Sequence, residues 1–328
     1  MSKIKIPLVY TLGILLLASC MHKELPVPAH DPGVVTTAAV NMESDYRYQV
    51  YYNLQTGSVA GKNLKTAWDI GFEATADGWH IILNGAKSMY AMPIAKSNLE
   101  EVGIADTAGF SSSKAWDAPS GNPDSTAIGN WRDNPQGVYI IDRGYNAAGI
   151  HLGIEKLKIV SSDATGYTVE YGPLAAANIT RLTIAKDSSY NFMFLSFDEQ
   201  TTTIIEPPKS EWNIVFTQYT HTFYEPAYQS YLVTGCLLNR YSTTASLVDS
   251  SISFAGIDYT YASARIFSKN ANTIGYDWKT YTGNNYVTNA DKTFLIRDAH
   301  GLYYKLHFID FLNGAGVKGN PKWEYQQL

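Results

Sequence analysis

Cysteine is nearly missing from this chain. It holds two, Cys20 and Cys236, and Cys20 ends an export-type segment, so Cys236 has no partner and no disulfide framework exists. Flanked by apolar residues in "VTGCLLN", Cys236 reads as a small buried hydrophobe. No Cys-x-x-Cys pair suggests zinc or an iron–sulfur cluster. Charge is sparse too, at 17% of residues, with 30 acids against 25 bases. That balance excludes nucleic acid or an anionic lipid surface as partner. Helical periodicity is also lacking: beyond residue 20 no long stretch repeats apolar residues at i, i+3, i+4 and i+7, and "NLEEVGIADTAG" is short and Gly-broken. Catalytic signatures are missing as well, with no G-x-S-x-G, H-E-x-x-H, Walker loop or G-x-G-x-x-G in strand–helix context. Glu100 and Glu101 are adjacent, so in extended chain they point apart and cannot act as a glycosidase pair. The expectation is a protein that is not an enzyme.

What is present begins with "MSKIKIPLVYTLGILLLASC". Lys3 and Lys5, an apolar run too short to span a membrane, and small residues before Cys20 form a secretory signal over 1–19. Leu-Ala-Ser-Cys resembles a bacterial lipobox, which implies a lipid on Cys20 and stable anchoring in the outer membrane. Lys23-Glu24 resembles the export signal of cell-surface lipoproteins. Loss of residues 1–19 removes two lysines and no acid, deepening the net charge from −5 to −7. Residues 20–44, opening with the proline-rich "MHKELPVPAHDPG", read as a flexible tether.

The rest is strand chemistry: 24 Tyr, 7 Trp and 25 Gly, with period-2 alternation between turn clusters. Tyr167, Val169 and Tyr171 share one face in "YTVEYGP". Two stretches read alike, "TAWDIGFEATADGWHIILNGAK" (66–87) and "SEWNIVFTQYTHTFYEPAYQSYLVTG" (210–235). In each, a Trp should cap the core end of a strand, with Ile70 and Phe72, or Ile214 and Phe216, continuing on the same inward face. Leu54 precedes Trp68 as Phe197 precedes Trp212, and "VEYGPL" (169–174) matches "WEYQQL" (323–328). Asp142 and Asp298 recur before glycine in apparent turns. The pattern predicts an all-β protein of two tandem antiparallel units, 45–175 and 190–328, each about the size of a typical domain.

The order "WNIVFTQY", "YLVTG", "TIGYDWK", "DAHGLYYKLHFIDF" and "PKWEYQQL" resembles the HmuY-like lipoproteins of Bacteroidetes. The match is best over 192–328 and weaker over 46–174, where Gly71 replaces an apolar residue. The resemblance implies an all-β fold, and capture of haem for delivery to a TonB-dependent receptor. Relatives with haem activity use paired His or paired Met ligands, which makes His221, His80, Met89 and Met92 the axial candidates. Met89 and Met92 are three apart, so in a strand they face opposite ways. Propionates would need a cation such as Arg240 or Arg47. Aromatic wealth also fits two other readings, a surface glycan-binding lipoprotein or an adhesive module that binds protein.

Overall fold

The computed structural model describes residues 32–134, 137–227, 229–289 and 291–328. The expected export segment, Cys20 and the start of the expected tether lie outside them. The chain first lays down β1 (Thr36–Ala39), β2 (Tyr48–Asn53) and β3 (Ser58–Leu64). Then come β4 (Ile70–Glu73), β5 (Ile81–Leu83), β6 (Tyr90–Pro93), β7 (Val138–Asp142), β8 (Ile154–Ser162) and β9 (Gly166–Pro173). These are followed by β10 (Thr180–Ala185), β11 (Phe192–Ser196) and β12 (Thr201–Thr203). The last run is β13 (Ile214–Phe223), β14 (Gln229–Leu238), β15 (Thr244–Leu247), β16 (Lys279–Tyr281), β17 (Tyr286–Thr288), β18 (Thr293–Arg297), β19 (Tyr303–Leu312) and β20 (Lys318–Gln327). The α-helices among the described residues are single turns, Phe110–Ser113 and Tyr259–Ser263. The protein is all-β, as its alternation predicts.

Two sandwiches result, each a five-stranded sheet facing a four-stranded one. Sheets β1-β20-β19-β18-β15 and β14-β13-β2-β3 enclose one core; sheets β10-β9-β8-β7-β6 and β12-β11-β4-β5 enclose the other. The second sandwich is built from the unbroken run β4 to β12. The first joins β1–β3 to β13–β20, so β2 pairs with β13 across about half of the sequence. Sheet pairing therefore crosses the unit bounds expected from the sequence: β11, early in the expected second unit, is hydrogen-bonded to β4 of the expected first. One part of the tether reading is corrected. Residues 36–39 form β1 and cover the edge of β20, with Thr37 opposite Glu324 and Ala38 opposite Trp323, which removes an open row of backbone donors and acceptors.

Aromatic side chains fill both cores, where burial of such rings is the main favourable contribution. Trp323, fully buried, meets Tyr52 edge-on at 4.9 Å and Phe216 at 4.8 Å. Cys236 is free and fully buried in the same cluster. Ile70 and Phe72 lie in one core, and Ile214 and Phe216 in the other, as the shared phrase predicts. The tryptophans do not follow them. Trp68 packs with Phe192, Phe194 and Ile205, and Trp212 with Tyr51 and Val215, on the outer faces of the four-stranded sheets. The chain bends at Asp69 and at Asn213, just before each strand, and the bend breaks period-2 parity.

Each bend is clasped in the same way. Asn84 Nδ2 donates to the carbonyls of Lys65 and Trp68, both at 2.8 Å; Asn239 Nδ2 donates to those of Lys209 and Trp212 at 2.9 and 3.2 Å. The bend residue then holds a hairpin distant in sequence. Asp69 Oδ2 accepts the Phe197 N–H at 2.9 Å, and Asn213 Oδ1 accepts the Leu54 N–H at 2.8 Å. Asp69 carries a charge that Asn213 lacks, and the fold answers it with the buried Lys87 ammonium and with Arg143 Nε at 3.2 Å. Gly71 follows: a Cβ there would lie 2.8 Å from Ile82 Cγ1 and 3.2 Å from Phe194 Cε1, whereas Val215 occupies the matching place after Asn213.

Two outcomes follow from these buried charges. Asp69→Asn keeps an acceptor for Phe197 but strands the Lys87 ammonium. Denaturant titration should show a loss of about 3–5 kcal/mol, partly recovered by adding Lys87→Met. Glu206 Oε1 accepts the Asn191 and Phe192 N–H groups at 2.6 and 2.9 Å, and burial pushes its carboxyl up to about 7. The folded state thus holds a proton that the unfolded chain releases near the ordinary carboxyl value. Stability is greatest below that value and falls as pH rises through about 7, by on the order of 3 kcal/mol from this group. Glu206→Gln should remove that share of the slope in unfolding measured at several pH values.

Candidate functional site

Two cavities, each of about 220 Å³, lie against the four-stranded sheets. The first lies between their outer faces. Side chains that alternate away from the cores line it: Tyr51 on β2, Val215 on β13, Ile82 on β5 and Phe194 on β11, with Trp68 and Trp212 beside them. Both indole Nε1–H groups are buried without a partner, as is the Tyr219 hydroxyl. Arg240 borders this cavity and donates to the Ser120 carbonyl at 3.0 Å. Arg47 is elsewhere, exposed and paired with Asp45 at 2.6 Å.

The second cavity sits where β13 runs past its sandwich. Its wall includes Tyr219, His221, Tyr276, Asp277, Lys292 and Phe294. His221 meets Phe223 edge-on at 4.8 Å and Tyr276 at 5.1 Å. Its Nδ1 is buried and unpartnered. Desolvation lowers the His221 pKa below the usual imidazole value, with Asp277 opposing weakly. The ring is therefore neutral at physiological pH, the form that ligates metals. Lys292 Nζ lies 2.5 Å from Asp277 at the same wall. Tyr231, opposite His221 in the register, is exposed.

The other predicted ligands are differently placed. His80 lies between β4 and β5, in the other sandwich from His221. Its Nδ1 is 2.5 Å from Glu73 Oε2, and its Nε2 is 3.5 Å from Asp124 Oδ1, in ion-pair range without hydrogen-bond geometry. Its ring stacks on Trp79 at 3.9 Å, which Arg132 covers at 3.7 Å. Met89 is a core residue beside Ala91. Met92 faces the opposite side of β6, next to Ile140 in its partner strand, with Sδ so close to Gly109 that a Cβ there would stand 2.7 Å away. Asp142 and Asp298 do turn work, accepting the Gly144 and His300 N–H groups at 2.8 and 2.9 Å. Among the described residues no cluster of His, Cys, Asp and Glu could hold a metal ion by itself.

The sequence reading missed the inter-sheet cavity. Its tryptophans were assigned to the cores by parity, and its acids, Asp117 in "AWDAPSG" and Glu206 in "IIEPPKS", look like turn residues. The doubled Trp phrase was the available signal.

A family model described as HmuY protein matches residues 45–325. Among solved structures, apo PinO from Porphyromonas gingivitis aligns with 90% of this chain and 97% of its own, at 9% identity and a TM-score of 0.29. The apo HmuY analog TFO from Tannerella forsythia covers 91% and 98%, at 11% identity and 0.25. A Bacteroides vulgatus protein described as HmuY-like and heme binding covers 40% and 82%, at 14% identity and 0.19. No curated protein matches. Since the family model spans most of the sequence, the chain belongs to the HmuY protein family.

Proposed function

We propose that this chain is a lipid-anchored cell-envelope protein that captures haem or a related porphyrin and acts without catalysis, handing its cargo to a TonB-dependent receptor. Family membership supports a binding role, and the Bacteroides vulgatus protein's description names heme. The observation that carries the reading is the unpartnered Nδ1 of His221 on a cavity wall with Tyr276 and Phe223 against the ring. Iron takes a neutral imidazole. Since the cavity, at about 220 Å³, is smaller than pockets for drug-sized molecules, only an edge of the porphyrin would enter it, against Tyr276 and Phe223, and Lys292 would have to leave Asp277 to meet a propionate. His80 is engaged by carboxylates, and both methionines are packed, so His221 is the first-ranked ligand. The matching bends at Asp69 and Asn213 support descent of the two units, 45–175 and 190–328, from one duplicated module.

Anchoring belongs to the same proposal and rests on the lipobox-like stretch ending at Cys20. A Bacteroides fragilis lipoprotein is among the similar structures. Among the described residues no helix is long and apolar enough to cross a membrane.

Hemin added to the chain without its export segment should show a shifted Soret band. His221→Ala should weaken uptake at least roughly tenfold, while His80→Ala keeps it. An unchanged free-hemin spectrum rejects the reading. Cys20→Ala should move the protein from the membrane to the soluble fraction of cells that export it.

A further inference from the structure

Asp117 borders the cavity between the four-stranded sheets. Its Oδ2 accepts the Leu83 N–H and its Oδ1 the Ala127 N–H, both at 2.7 Å. Each oxygen keeps a lone pair. Protein surrounds the carboxyl, yet the residue retains accessible area, because it borders the cavity. No basic side chain among the described residues pairs with it, and burial pushes it up to about 7. The other charged groups bordering the cavity are Glu206, whose Oε1 is already taken by two backbone N–H groups, and Arg240, which is turned to Ser120.

An enclosed carboxyl without a cation is costly to ionise, and the same site gains most from a ligand that brings one. The walls suit such a ligand. Trp68, Trp212, Tyr51 and Phe194 present aromatic surface, which attracts cations most strongly where water is excluded. The volume, about 220 Å³, is below the roughly 300–1,000 Å³ of pockets for drug-sized molecules, so the guest is small.

We propose that this cavity binds a small organic cation, a primary amine on an apolar ring or short alkyl body, with its ammonium on Asp117 and its body against the two indoles. The site is separate from the haem reading at His221 and does not rest on it. At slightly acid pH the empty site holds the Asp117 proton; entry of the ammonium displaces that proton to the buffer.

The test is isothermal titration of the mature chain with 2-phenylethylamine and with its neutral isostere 2-phenylethanol. Titrations near pH 6 in two buffers of different ionisation enthalpy count the protons exchanged. The amine should bind at least roughly tenfold tighter than the alcohol, with release of close to one proton. Asp117→Asn should abolish both the preference and the release, and Glu206→Gln should keep them. Equal binding of the two probes, binding without proton release, or no binding of the amine overturns the proposal. If Asp117→Asn fails to fold, the amine-to-alcohol ratio and the proton count in the unaltered protein decide. Haem uptake, read at the Soret band, is unaffected by either outcome.

Discussion

The architecture hangs on a bend of one residue placed before a strand, once in each sandwich. At Asp69 and Asn213 the chain turns out of extended geometry, and a buried side-chain oxygen accepts a backbone N–H from a hairpin far away in sequence. A buried N–H left without an acceptor costs about 1–3 kcal/mol, so each bend both needs and fixes its partner. Everything around it is arranged to hold the turn. Asn84 and Asn239 satisfy the carbonyls on its approach, and the hairpins it captures complete the four-stranded sheets.

That constraint also creates the space between the sheets. Because the bend reverses parity, two large indoles leave the cores and meet the outer faces of β2, β5, β11 and β13. Between those outer faces lies the cavity, with unpartnered buried polar groups at its wall. The charged version of the bend adds Lys87 and Arg143 to one side; the neutral version on the other side is answered by the Thr243 hydroxyl at 3.4 Å.

The strands and inward faces were legible because Ile70, Phe72, Ile214 and Phe216 obey a strict period of two, and side chains in extended chain alternate by stereochemistry alone. The tryptophans were misplaced because one bent residue puts the position before it on the other face from the strand that follows, and Asp or Asn before Ile carries no warning of it. Which hairpin joins which sheet was hidden for another reason. The stretches around Trp68 and Trp212 read alike, so the sequence pattern around Leu54 and Phe197 does not say which of them each hairpin joins. Of the candidate ligands, His221 could be placed on its strand from sequence, but its free nitrogen depends on the absence of a nearby acceptor in space. His80 has such acceptors in Glu73 and Asp124, residues that a linear reading does not bring together.

The nested topology has a consequence for how the polypeptide is made. The run from β4 to β12 can close into its sandwich as soon as it emerges, since all its neighbours are local. The opening hairpin cannot: β2 must wait for β13, which follows about half a chain later. During that interval it presents unpaired strand edges, for which aggregation is the hazard. Biogenesis of this molecule is therefore paced by its last third, and helpers that shield nascent β edges are most needed at its front.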